Sequence, residues 1–319
     1  MVRQVIQAVG SLLRRRQVRR QLMLALHWLE QHRFEFTSSQ TSGDNCNSAL
    51  ADLAWRVKPF AELIFLLMLF RRHQQCQAQT QPLHDFVQTH VTHFDLHKIA
   101  ASDPSAATVL ALFGDYFGCN TPDAPFEADY FAFLNQSGYF KGMDRMSYRD
   151  MDLVYSLWRL GYAPTTLRMD QMFANTAFGR GQFLPKYSID DIYSLTHAIF
   201  YLTDVGFRPL SEVLDAETIA RLRRDLIALT AIMLRDDNCD VLGELLLCWI
   251  FCHIKCSSYE QALFRLGMDR MLAIATPDGC VPYCTRSRAR YLAGQDSFKA
   301  VYHPTLVATI LFALAGEIL

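Results

Sequence analysis

A chain of 319 residues with 51% hydrophobic and 12% aromatic side chains has ample apolar surface for a buried core, which excludes an intrinsically disordered polypeptide. Its net charge of −1 argues against nucleic acid or an anionic membrane as the main partner. The charge is unevenly spread, however: Arg3, Arg14, Arg15, Arg16, Arg19 and Arg20 all precede the first acidic residue, Glu30.

Taken in chain order, apolar residues recur at helical spacing almost throughout, with no convincing run of strand alternation. The pattern predicts helices over 2–32, 47–73, 82–101, 104–118, 126–137, 147–161, 166–174, 188–204, 210–235, 239–256, 258–276 and 297–317. The basic N-terminal helix, within 1–36, is expected to turn Val5, Ile6, Val9, Leu12 and Leu13 inward and its arginines outward. That arginine run is either a solvated face or a docking site for an acidic protein partner. Its charges follow the apolar segment, the reverse of a secretory signal; an organellar transit peptide is the other alternative. A polar loop follows at 37–48. The most apolar stretches, 60–70, 241–251 and 305–316, are shorter than the ~20 residues a membrane-crossing helix needs, so no span is expected.

Asp103-Pro104, Ser147 and Ser188 supply helix-start chemistry. Nine scattered cysteines, an odd number, read as free thiols of a cytoplasmic protein. About a dozen helices with short connections predict an all-α single domain, 1–319, of antiparallel hairpins. No repeat of fixed period stands out, so a closed toroid or barrel with a concave centre is expected rather than a solenoid.

On a helix over 188–204, Asp190, Ser194, His197, Tyr201 and Asp204 share one face, with Tyr193 one turn before His197. Solvated faces normally carry Lys, Glu and Arg; this one offers groups that exchange protons or hold a substrate near neutral pH. His197 is thus either an acid/base group, oriented by Asp204 or Tyr193, or a core histidine capping a carbonyl. "HVTHFDLHK" places His90, His93 and His97 at i, i+3 and i+7, a spacing that can hold a divalent metal but also suits a polar surface. Cys248, Cys252 and Cys256 at i, i+4 and i+8 either bind metal or pack as small hydrophobes. The chain contains no P-loop, dinucleotide fingerprint, nucleophile elbow or His-Glu-x-x-His.

The stretch "YSLTHAIFYLTDVG" (193–206) resembles the motif Tyr-Ser-Leu-Thr-His-x-Ile-Phe-Tyr-x-Thr-Asp-Phe-Gly of a bacterial protein family of unassigned function. "ELLLCW" (244–249) and "YHPTLVATILFALA" (302–315) fit the same family. The chain departs from its pattern at Val205, where the family has Phe, and at Pro304, where it has Thr. The resemblance implies an all-helical fold similar to the toroids of lanthipeptide and terpenoid cyclases, and a place in a natural-product pathway. It also adds His303. His197 and His303 would then line one cavity with Tyr193, Asp204 and Tyr302, and with Asp190, Tyr201 and Glu244 as substrate-binding groups. "TPDGCVPYC" (276–284) is similar to the turns of toroid enzymes, which makes Asp278 a substrate contact or part of a plain connector.

These readings converge on an enzyme of peptide or small-molecule natural-product biosynthesis, performing proton transfer in a cyclisation, elimination or hydrolysis. The alternative is a non-catalytic scaffold that holds a peptide or partner enzyme. No cofactor is required by the first reading, and a divalent metal is possible.

Overall fold

The structure, a computed structural model, describes residues 2–37, 51–94, 107–118, 128–139, 147–162, 169–181, 187–253 and 256–315. Among the described residues the regular structure is entirely helical, with no strand. The α-helices are α1 (Val2–Gln31), α2 (Ala51–Arg72), α3 (Gln77–His90), α4 (Ala107–Phe117), α5 (Ala128–Gln136), α6 (Ser147–Arg159) and α7 (Met169–Ala174). They continue with α8 (Ile189–Leu202), α9 (Ala216–Arg235), α10 (Cys239–Phe251), α11 (Ser258–Ile274), α12 (Thr285–Leu292) and α13 (Phe298–Ala315). The all-α class expected from the sequence is the class observed.

The chain forms two compact units, each discontinuous in sequence. The first comprises Met1–His32, Leu69–Thr80 and Thr203–Leu319; the second comprises Arg33–Met68 and Gln81–Leu202.

The first unit is built around α10, every residue of which is buried. Helices α9, α11 and α13 pack against it, and α13 also packs on α1. Leu242, Leu245 and Leu246 are fully enclosed, and each contributes roughly 1.5–3 kcal/mol by leaving water. Gly243 lets α13 close in: a Cβ there would stand 2.8 Å from Val307 Cγ1 and 3.2 Å from Met271 Cε. Helix α13 is long and apolar enough to cross a membrane by length and composition, yet 83% of it is buried, as a core helix requires. In the second unit α6 packs against α4, α7 and α8 and buries Met151, Leu153, Tyr155 and Leu157. Arg159 at its end grips Asp115 of α4 through two hydrogen bonds of 3.0 and 3.2 Å.

Helix starts follow the capping chemistry in the sequence. Asp215 accepts from Thr218 N ahead of α9, and Asn238 from Val241 N ahead of α10. Ser188 and Asp191 cap each other reciprocally at the start of α8. Ser257 and Glu260 form a capping box on α11, and Glu260 also takes a two-pronged bond from Arg223. Arg223, and then Ser257, hold the Glu260 carboxyl down at about 2, below its ordinary 4.5. A depressed carboxyl stabilises the fold above its unfolded value, and that contribution disappears as pH falls from about 4.5 through about 2. Urea titrations of the wild type and Glu260→Gln should therefore differ at pH 6 and converge toward pH 2.

Three local expectations are corrected. Leu12 and Leu13 are exposed, because the buried face of α1 is formed by Val18, Leu22, Ala25 and Leu29 further along; the side chains of Val5, Ile6 and Val9 lie outside the described residues. Helix α10 stops at Phe251, so of Cys248, Cys252 and Cys256 it carries only Cys248; Cys252 is its C-cap and Cys256 lies beyond it. Helix α12 was not expected at all. Its cap is a cysteine, Cys284, which exchanges bonds with Ser287, and none of its residues is buried, so no apolar period announces it.

Candidate functional site

Helix α10 reads "CDVLGELLLCWIF", an apolar segment interrupted by two carboxylates four residues apart. That spacing sets Asp240 and Glu244 on one face, one turn apart. Across from them, in the first half of α13, stands His303. Its Nε2 lies 3.6 Å from Asp240 Oδ1 and 3.5 Å from Glu244 Oε1. Both acid side chains are almost completely buried, whereas the imidazole keeps 29% of its surface exposed. Helix α13 runs unbroken through Pro304, so the departure from Thr there leaves His303 on a regular helix.

Two carboxylates taken out of water require a positive or proton-donating partner. His303 supplies one, and its exposed edge connects the pair to solvent. The phenol of Tyr283 accepts a 2.7 Å bond from Asn238 Nδ2, the cap of α10. Burial, and then the Asp240 carboxylate, push the Tyr283 phenol up, so it stays protonated and able to donate at neutral pH. Burial, an imidazole and two acids make this a set for holding and passing a proton.

An aromatic stack backs the site. Tyr302 stacks on Phe298 at 5.1 Å and meets His303 edge-on, while Phe298 stacks on Trp28 and Trp28 on His32. Trp28 Nε1 donates to Tyr291 OH, which donates in turn to Asp278. Asp278 also accepts from Thr276. Its carboxyl is lowered by these bonds, against the opposing effect of burial. Asp278 thus tethers the loop that leads into α12.

The structure distributes the remaining expected residues as follows. His197 lies in the second unit, where Nδ1 donates to the Tyr193 carbonyl at 2.7 Å. Tyr148, Tyr193, Phe200 and Tyr201 surround the ring. Tyr201 is buried and bonded to Asp152, and burial, then Asp152, raise its phenol well above the usual value. Asp190 is exposed in the first turn of α8. Asp204 belongs to the first unit, where Arg72 binds both its oxygens at 3.0 and 2.7 Å.

Asp204 begins a strained turn. Asp204, Val205 and Gly206 have φ of 47°, 50° and 95°, and Val205 is β-branched and fully buried. The two non-glycine residues, Asp204 and Val205, cost about 1–3 kcal/mol each in this left-handed backbone and persist only where their surroundings hold them. His73 Nε2 donates to the Val205 carbonyl at 2.9 Å and His253 Nε2 to the Gly206 carbonyl at 2.7 Å. A Cβ on residue 206 would lie 2.9 Å from Phe251 Cδ1. The Thr-Asp-Val-Gly end of the motif is therefore an anchored turn.

His90 Nδ1 donates to the Phe86 carbonyl, whereas the side chain of His93 and all of His97 lie outside the described residues. Among the described residues, no group of three or more His, Cys, Asp or Glu side chains could hold a metal ion. Burial pushes Cys239 up to about 11 and Cys252 and Cys280 up to about 12, which keeps them as protonated packing groups.

Sequence reasoning named Glu244 and His303 but missed Asp240 and Tyr283. Asp240 could have been found as the second acid, one turn from Glu244, in an otherwise apolar helix. Tyr283 left no such signal, since only the return of its loop to the start of α10 brings it there.

An all-helical protein with a buried carboxylate pair on a half-exposed histidine is the class that fold and site define. The family model described as "Domain of unknown function (DUF6895)" matches residues 22–313, and the chain belongs to that family. No curated protein and no solved structure matches it.

Proposed function

We propose that the protein is an enzyme of peptide or small-molecule natural-product biosynthesis, with His303 as its acid/base group. The observation that carries this reading is the imidazole half-open to solvent with Asp240 and Glu244 buried 3.6 and 3.5 Å behind Nε2. In a cyclisation, elimination or hydrolysis, the ring exchanges a proton with the substrate, and the carboxylates stabilise the imidazolium that forms. Tyr283, held by Asn238, donates toward a developing oxyanion. The reading extends the likeness of the Tyr193–Gly206 motif to a bacterial family of unassigned function, for which that resemblance implies a fold similar to the helical toroids of lanthipeptide and terpenoid cyclases. It places the protein in the cytoplasm, with Tyr302 and Asp278 at the edge of the substrate.

The test is co-expression with the neighbouring genes of its genome, with metabolites read by mass spectrometry. His303→Ala and Glu244→Gln should each abolish the product while the melting temperature moves by only a few degrees. Full product formation by folded His303→Ala would remove the catalytic reading and leave a scaffold that holds peptide or partner enzyme. His197→Ala tests the second histidine in the same assay. Loss of product with the fold intact assigns it to the chemistry, and loss of the fold assigns it to the core.

A further inference from the structure

We propose that the outer face of α1 docks the protein onto an anionic phospholipid surface. At about 100° per residue, Leu12, Leu13, Arg15, Arg16, Arg19 and Arg20 share one half of the helix, and the buried Val18, Leu22, Ala25 and Leu29 lie on the other. All six outer residues are exposed, the two leucines by 57% and 58%. Arg14 is committed elsewhere: it clamps Asp269 of α11 with bonds of 2.9 and 3.1 Å. Leu266, one turn before Asp269, is a further large apolar side chain in water.

The two kinds of residue are separated along the helix, not around it. A pair of exposed leucines comes first, and four exposed arginines follow within the next two turns. An apolar tip with a basic collar matches a bilayer surface, where leucines enter the acyl boundary and guanidinium groups stay at the phosphates. An acidic protein would satisfy the arginines but gives no reason for the leucines. The net charge of −1 counts against a membrane as the main partner, yet docking through one helix depends on local charge, since electrostatic attraction acts within about a Debye length and α1 carries no acid before Glu30. Each arginine near an anionic leaflet strengthens partitioning roughly fivefold.

Co-sedimentation with vesicles tests this, comparing phosphatidylcholine alone with phosphatidylcholine containing one third phosphatidylserine. The full chain should pellet with the anionic vesicles only, and less so as salt is raised. Replacing the four arginines with glutamine should weaken binding several-hundredfold. Leu12→Ser with Leu13→Ser should also release the protein, and circular dichroism should show both variants folded, since neither set is buried. Failure to bind anionic vesicles, or binding that survives either set of substitutions, overturns the proposal. Arginine-dependent capture of soluble polyglutamate without vesicle binding would instead identify an acidic protein as the partner.

Discussion

Gly279→Ala is expected to lower stability by about 4 kcal/mol, a loss of roughly 10 °C in melting temperature. Two effects combine. Gly279 has φ of 104°, a conformation that costs an L-residue about 1–3 kcal/mol. Its missing side chain also makes room for the backbone of α1: a Cβ would stand 2.1 Å from the Leu24 carbonyl oxygen and 2.8 Å from Ala25 N. A helix backbone cannot step aside as a side chain can, so the loop must pull away from α1 and disturb the bonds linking Asp278, Tyr291 and Trp28. Gly294→Ala separates the two effects, because Gly294 has φ of 68° with nothing near its Cβ position. Its cost should stay near 1 kcal/mol. Equal losses in the two variants, by thermal or urea unfolding, would show that the contact with α1 contributes nothing.

Arg72→Ala should cost about 3 kcal/mol. The substitution leaves the Asp204 carboxylate, 11% exposed, without the cation that binds both its oxygens. It also removes a guanidinium lying 4.3 Å over the Phe207 ring. The loss falls on a turn that already holds three successive left-handed residues. Arg72→Lys should recover only part of the stability, since an ammonium cannot reproduce the two-pronged bond. Asp204→Asn should cost less than Arg72→Ala, because asparagine tolerates a left-handed backbone and leaves no buried anion. Urea unfolding of the three variants checks the order, and a milder effect for Arg72→Ala than for Asp204→Asn would contradict it.

How far the sequence could be read depends on what each feature rests on. Helices α6, α8 and α11 begin within a residue of where apolar spacing places them, because that signal is local, whereas α9 begins at Ala216, six residues after the expected start at 210. Helix α12 escaped because it buries nothing, and the inward face assigned to Leu12 and Leu13 failed because an apolar period does not say which part of a long helix meets the core. At the site, the Thr-Asp-Val-Gly run suggested an aspartate serving His197, and its carboxylate is bound by Arg72, 132 positions earlier in the chain. Glu244 and His303 were legible as candidate residues, but the second carboxylate on the same imidazole, Asp240, was not.

The sequence by itself determined that this protein is helical and where most of its helices begin, since hydrogen bonding, capping and apolar period act over a few residues. Only the tertiary structure decided which polar groups meet. The approach of α13 to α10 over Gly243 sets one imidazole against two carboxylates, and no short-range rule encodes a contact between helices separated by some fifty residues.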